Sequence, residues 1–109
     1  MIKSISVLEL KELIDEKGID GLQVIDCREA DEFGYCHLEG TKNVPISVFE
    51  DRALKEIKKD HIAYLLCHIG ARSARACIFL KEHGYTKLVN IAGGLEAWAL
   101  HVDKKFKRY

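Results

Sequence analysis

The chain is poor in the features that mark exported, membrane-bound, disordered or multidomain proteins. Among its 109 residues there is one proline, Pro45, and there is no Gly/Ser-rich linker and no internal repeat, so nothing divides it. No apolar run approaches the roughly 18 residues of a membrane span. The opening Met1-Ile2-Lys3-Ser4-Ile5-Ser6-Val7 lacks the apolar core of a signal peptide. Net charge is absent too: 17 Lys and Arg balance 17 Asp and Glu, which excludes the strongly basic surface that phosphate binding by nucleic-acid proteins requires. Four cysteines occur (Cys27, Cys36, Cys67, Cys77), but none lies in a C-x-x-C pair, the local spacing that structural metal sites favour. The expectation is one cytoplasmic domain spanning residues 1–109, monomeric, with reduced thiols, without metal or cofactor, and with neither nucleic acid nor membrane as partner.

Hydrophobic residues make up 48% of the chain and charged residues 31%, enough apolar surface for a packed core. Ser6-Val7-Leu8-Glu9 reads as a capping box, followed by an apolar face of Val7, Leu10, Leu13 and Ile14 and closed by Gly18. Ser47-Val48-Phe49-Glu50 has the same form and predicts a second helix carrying Phe49, Ala53 and Ile57. A third helix is expected from Ser73 to His83, apolar on most of its circumference, with Gly84 as the residue that ends it. Between these lie Leu22–Ile25, Ile62–Leu66 and Leu88–Ile91, apolar runs too short for helices and without clean alternation. Strands of a parallel sheet covered on both faces read this way. Strand and helix alternate, so the fold class is α/β, three-layered, with function expected at the carboxyl ends of the strands.

The segment that draws chemistry is Leu66-Cys67-His68-Ile69-Gly70-Ala71-Arg72-Ser73. A cysteine leaves a buried strand, a short loop with one glycine follows, and a helix begins. Backbone N–H groups of such a loop converge on an anion, the helix dipole adds positive potential, and Arg72 adds a charge nearby. A thiol that ordinarily titrates near 8.5 falls to roughly 3.5–7.5 in these surroundings, which makes Cys67 the expected nucleophile. Most free cysteines are small hydrophobes at strand ends, but that role needs neither the glycine, the arginine nor the helix start.

The chain resembles the single-domain rhodaneses, small sulfurtransferases. The matching stretches are Val24-Ile25-Asp26-Cys27-Arg28-Glu29, Glu32-Phe33, His37-Leu38-Glu39-Gly40-Thr41, Asn43-Val44-Pro45, the Cys67–Ser73 loop, Gly84-Tyr85-Thr86-Lys87-Leu88 and Gly93-Gly94-Leu95-Glu96-Ala97-Trp98. The resemblance implies a three-layer fold with a mostly parallel central sheet and helices on both faces. It also implies a two-step reaction. Cys67 takes the outer sulfur of a small anionic donor such as thiosulfate as a persulfide, and a thiophilic acceptor, cyanide or a small or protein thiol, removes it. His68, Ile69, Gly70, Ala71 and Arg72 are expected to offer backbone donors, with Gly70 supplying the positive φ of the turn. Family members acting on sulfur have six residues from Cys through Arg, as Cys67 to Arg72 do. Related phosphatases and arsenate reductases have one more, and here that position is Ser73, so this chemistry is the lesser enzyme alternative. A persulfide carrier with little turnover is the non-enzyme alternative.

Asp26 and Arg28 are expected to support the loop as an ion pair, and the resemblance puts His37 with them as a supporting residue, in a stretch that lacks the family's usual glycine and proline, against the plainer reading of a loop histidine bonded to backbone. His68 is expected at the pocket rim, since an amide-stabilised thiolate needs no base. Cys27 leaves the same sheet edge as Cys67 if their strands are neighbours, and so is a possible resolving thiol, against the plainer reading of a buried substitute for valine. Cys77 reads as core, and Trp98 as the anchor of a last helix. Residues 103–109, rich in Lys and Arg, read as a solvated, frayed tail. The neutral total hides two halves: residues 1–66 carry 9 basic and 14 acidic side chains, residues 67–109 carry 8 and 3. The basic half begins at Cys67, as a site for small anionic sulfur species requires.

Overall fold

A computed structural model describes residues 2–109. Strand β1 (Lys3–Ile5) leads into helix α1 (Val7–Lys17), followed by β2 (Gln23–Asp26), α2 (Ala30–Tyr35) and the short β3 (Lys42–Asn43). Helix α3 (Phe49–Glu56), β4 (Ala63–Leu66), α4 (Ala71–Glu82), β5 (Leu88–Ile91) and α5 (Gly94–His101) complete the order. The five strands form one all-parallel sheet in the order β1-β5-β4-β2-β3.

Both faces of the sheet are covered, which is why its strands read as unbroken apolar runs. Side chains of successive strand residues alternate: Ile25, Cys27, Leu65 and Cys67 share a core with Phe49 and Ala53 of α3 and Ala76, Cys77 and Leu80 of α4. Val24, Tyr64, Leu66, Val89 and Ile91 share the other with Val7 and Leu10 of α1 and Leu95 and Trp98 of α5. Each fully buried Leu or Ile in these layers contributes roughly 1.5–3 kcal/mol of apolar burial. Trp98 is buried beside α1, the anchoring role expected of it.

Helix ends largely follow their local signals. Ser6 accepts the Glu9 N–H and Glu9 accepts the Ser6 N–H, both at 3.1 Å, and Gly18 closes α1 with φ 75°. Helix α4 starts at Ala71, two residues before the expected Ser73, because Gly70 at φ 108° already turns the chain. It ends at Glu82 with His83 as cap and Gly84 beyond it at φ 87°.

The second capping box is a correction. Ile46–Val48 form a 3₁₀ turn, α3 begins at Phe49, and its cap residue Val48 makes no side-chain bond. The Ser47 N–H instead donates to Glu29 Oε2 at 3.2 Å, so a carboxylate 18 residues away replaces the local partner. Phe49, Ala53 and Ile57 are nevertheless buried together.

The frayed tail is a second correction. Phe106 packs against the α1/α5 side of the core and its N–H bonds Asp103 O at 3.0 Å. Arg108 pairs with Glu96, and Tyr109 reaches back toward the carboxyl ends of β2 and β4. Among the described residues no helix is long and apolar enough to cross a membrane.

Candidate active site

Cys67 follows β4 directly, at the carboxyl edge of the sheet, and the chain then wraps around its sulfur. The Gly70 N–H donates to Sγ at 3.1 Å and the Ser73 N–H at 3.3 Å, with the Ser73 hydroxyl also 3.3 Å away. Ser73 lies in the first turn of α4, where backbone N–H groups have no partner within the helix, so the thiolate takes the place of a cap. Of the five residues expected to offer donors, Gly70 alone bonds Sγ. Ser73, grouped with the loop but not expected as a donor, supplies two polar groups. Its hydroxyl lies 2.6 Å from Asn90 Oδ1 on β5 and 3.2 Å from Gly70 O, so one proton is shared among these acceptors and the sulfur. Asn90 was missed by sequence reasoning. Its signal was a lone amide inside the buried run Leu88–Ile91.

Two glycines hold the outside of the loop. The Leu95 N–H bonds Cys67 O and the Glu96 N–H bonds His68 O, each at 2.9 Å, so α5 draws both carbonyls to itself. In a trans peptide the N–H points opposite to the C=O, so the His68 and Ile69 amides face away from α5. A Cβ on Gly94 would lie 2.4 Å from Cys67 O and 2.5 Å from His68 O, and its φ of 56° disfavours any side chain. Gly94 is therefore required by close approach of α5 to the loop, and Gly93 by its φ of 79° and by Ala97, 2.7 Å from where its Cβ would lie.

Cys27 stands beside Cys67. The β2–β4 register runs from Gln23↔Ala63 to Asp26↔Leu66, the Cys27 N–H extends it to Leu66 O at 2.9 Å, and both side chains enter the same core. The neighbouring Cys27 thiol is the largest influence holding the Cys67 pKa below the ordinary thiol range. Burial opposes it, and the Ser73 hydroxyl and the N–H groups of Ser73 and Gly70 reinforce it. The same neighbour and burial push Cys27 up. Cys67 is the thiolate of the pair because only it has backbone donors. Cys77, on the body of α4, is core as expected, its thiol pushed up to about 12 by burial.

The charged groups form one connected chain at the rim. Asp26 and Arg28 are both fully buried, and the guanidinium meets the carboxylate through Nε at 3.0 and 3.1 Å and through Nη2 at 2.7 Å. Arg28 also donates to Cys36 O at 2.7 Å and to the Tyr109 hydroxyl at 3.0 Å. Tyr109 donates to Glu32 Oε2 at 2.9 Å, and Glu32 receives both Nη atoms of Arg72. The Arg72 bonds hold the Glu32 carboxyl at about 2 against its partial burial, with the Glu29 N–H and Tyr109 assisting. Arg72 thus faces a carboxylate rather than bonding the thiolate. Glu32 and Tyr109 were given no role from sequence.

His68 stacks on the Tyr109 ring at 4.1 Å and bonds neither sulfur nor any other side chain, its Nε2 lying 3.9 Å from Glu96. That is a rim position. His37 is a correction: it follows α2, stacked on Phe33 at 4.0 Å and bonded to Phe33 O at 2.8 Å through Nδ1, and bonds nothing in the Cys67 loop, as a loop histidine tied to backbone does. Ile69 is exposed at the loop tip. A cavity of about 530 Å³ lies at the opposite, amino end of β2 and β4, lined by Lys17, Gln23, Lys58 and His61, remote from Cys67. Among the described residues no group of three His, Cys, Asp or Glu side chains is placed to hold a metal ion.

Comparison with known proteins places this architecture. The Rhodanese-like domain family matches residues 6–101. The Uncharacterized protein YqhL of Bacillus subtilis is 35% identical over 99 residues, covering 88% of this chain and 78% of that one. The Putative sulfur carrier protein YrkF of the same organism is 31% identical over 97 residues, covering 89% of this chain. This chain spans only 51% of YrkF's length. Among solved structures, a rhodanese-like domain protein from Staphylococcus aureus superposes with TM-score 0.80 at 30% identity, covering 99% of both chains. The family match over residues 6–101, with relatives and a solved structure alike over most of the chain, makes this protein a member of the rhodanese-like domain family.

Proposed function

We propose that this protein transfers sulfur by way of a Cys67 persulfide, taking it from a sulfane donor such as thiosulfate and passing it to a thiophilic acceptor, cyanide or a thiol. The observation that carries the reading is the Cys67 sulfur in its cradle, with N–H groups of Gly70 and Ser73 at 3.1 and 3.3 Å. Such fixed donors keep the sulfur anionic before attack and stabilise the anionic persulfide after it, without reorganising in between.

Each residue has a role in that scheme. Cys67 is the nucleophile, attacking the outer sulfur of the donor, whose remaining part leaves with the bonding pair. Gly70 and Ser73 bind the sulfur, and Asn90 orients the Ser73 hydroxyl. In this reading the amides of His68, Ile69, Ala71 and Arg72, in the turn and first helical positions, are the further donors to the outer sulfur. Asp26 and Arg28 brace the β2 end and α2, and need no contact with substrate. The six-residue Cys67–Arg72 loop favours a sulfur atom over a tetrahedral phosphate or arsenate, whose wider cradle needs a cation where Ser73 stands.

One observation favours a carrier over rapid turnover of small donors. Arg72 is held by Glu32 and Arg28 by Asp26, so neither guanidinium points at the thiolate to receive a dianion such as thiosulfate. The relative named as a putative sulfur carrier fits that reading. The test is thiocyanate formation from thiosulfate and cyanide beside sulfur transfer to a dithiol. Turnover in either assay that Cys67→Ser abolishes supports the proposal. Phosphate-ester hydrolysis outrunning both would replace it.

A further inference from the structure

The reaction above uses one thiol, yet two stand side by side. Cys27 and Cys67 occupy neighbouring places where the parallel strands β2 and β4 end, one step beyond the Asp26↔Leu66 pair. The β-bond from Cys27 N–H to Leu66 O keeps the strands together at that step. Neighbouring strands lie about 4.8 Å apart, inside the Cα separations of roughly 4.4–6.8 Å that disulfides span. The alternation of side chains sends Ile25 and Cys27, and Leu65 and Cys67, into one core, so both sulfurs lie on the same side of the sheet. The register therefore sets the two cysteines side by side on one face, the placement a bridge requires.

The two thiols also differ in a way that suits a pair. Cys27 is fully buried, with no exposed surface for an outside oxidant or acceptor to reach. Cys67 is 1% exposed, but its sulfur sits among the loop amides of Gly70 and Ser73 at the sheet edge and has the thiolate character oxidation requires. Any oxidising equivalent therefore enters at Cys67 and meets Cys27 next. Cys36 and Cys77 offer no competing partner: Cys77 is further down the α4 face of the core, and Cys36 lies at the end of α2 against Arg28 and Lys107 O.

We propose that Cys27 and Cys67 are a built-in disulfide site, in which Cys27 resolves peroxide-oxidised Cys67. In the first step the Cys67 thiolate attacks hydrogen peroxide. An S–O bond forms, the O–O bond breaks, and the departing hydroxide takes a proton to become water. In the second, the Cys27 sulfur attacks Sγ of the Cys67 sulfenic acid. The S–S bond forms, the S–O bond breaks, and the hydroxyl leaves as water with the Cys27 proton. Two thiols are oxidised by two electrons and one peroxide is reduced to two waters. The bridge keeps the nucleophile from the irreversible sulfinic and sulfonic states, and an external dithiol restores it.

This site does not depend on the sulfur-transfer reading, because the test contains no sulfur donor. The full chain is treated with a small excess of hydrogen peroxide, quenched by alkylation, and analysed by intact mass and peptide mapping. The expected result is a loss of about 2 Da once alkylation of the remaining thiols is accounted for, a linked pair of peptides holding Cys27 and Cys67, and full reversal by dithiothreitol. Cys27→Ser keeps a hydrogen-bond donor beside Cys67 but has no thiol, and Cys27→Val matches the apolar packing. Both are expected to accumulate dithiothreitol-resistant Cys67 oxidation under conditions where the natural chain recovers fully. Absence of the linked peptides from the natural chain, with Cys67 overoxidised equally in all three proteins, would overturn the proposal.

Discussion

Arg72 closes the Cys67 loop, yet its guanidinium meets Glu32 of α2, Nη1 on Oε1 at 2.5 Å and Nη2 on Oε2 at 2.9 Å. The pair spans 40 residues and joins the loop to the first turn of α2. It also decides how much positive potential the site offers to an anionic donor, since the carboxylate offsets the charge of the guanidinium.

Glu32→Gln should therefore bring that charge back to the site. The Arg72–Glu32 pair is about one quarter exposed on each side, so its influence is screened and of the order of 1 kcal/mol. The KM for thiosulfate should fall by about 3- to 10-fold, while a neutral organic trisulfide is used no better. An unchanged thiosulfate KM would mean that Arg72 does not face the donor.

The glycines beside the loop and in α2 should differ sharply from one another. Gly94→Ala sets a Cβ 2.4 Å from Cys67 O on a left-handed backbone, and should destabilise by about 2–4 kcal/mol while distorting the cradle. Gly34, inside α2, has nothing within 4 Å of an added Cβ and an ordinary φ, so Gly34→Ala should stabilise by about 0.5–1 kcal/mol. Urea unfolding of the two variants checks both signs.

Reactivity should carry the mark of a depressed Cys67 pKa. Its largest cause is the Cys27 thiol, with burial opposing and the Ser73 and Gly70 donors reinforcing. Iodoacetamide alkylation of Cys67 should be on its plateau at neutral pH and decline only in acid, where an ordinary thiol near 8.5 would still be gaining through pH 8. Ser73→Ala, which removes the hydroxyl but keeps the N–H, should move the profile upward in pH. A profile rising through pH 8 in the natural chain would contradict the cradle.

Tyr109 should gate access. Its ring stacks on His68 at 4.1 Å and its hydroxyl ties Arg28 to Glu32. Tyr109→Ala should speed alkylation of Cys67 by about 2- to 10-fold at fixed pH with no shift in the profile, as expected when a local cover is removed. An equal rate would leave the 103–109 segment a purely structural role.

Sequence made legible what is governed by neighbours along the chain. The Ser6 box, the Gly18 and Gly84 stops, the buried parallel strands and the Cys67-to-helix turn are short-range signals, and each stands in the structure. The short strands β1 and β3 and the six-residue α2 carry too few residues to show a period. Ser47 had a valid local partner in Glu50 and lost it to the distant Glu29. The contacts that complete the site, Glu32 with Arg72, Asn90 with Ser73 and Tyr109 with His68, join residues 17 to 41 positions apart. Only the folded sheet edge brings them together.

The central claim is that Cys67 carries the sulfur, and intact mass tests it most directly. After incubation with thiosulfate and rapid desalting, the chain should gain about 32 Da, the gain should vanish with dithiothreitol, and Cys67→Ser should show none. An adduct of that mass on Cys67→Ser would contradict the account.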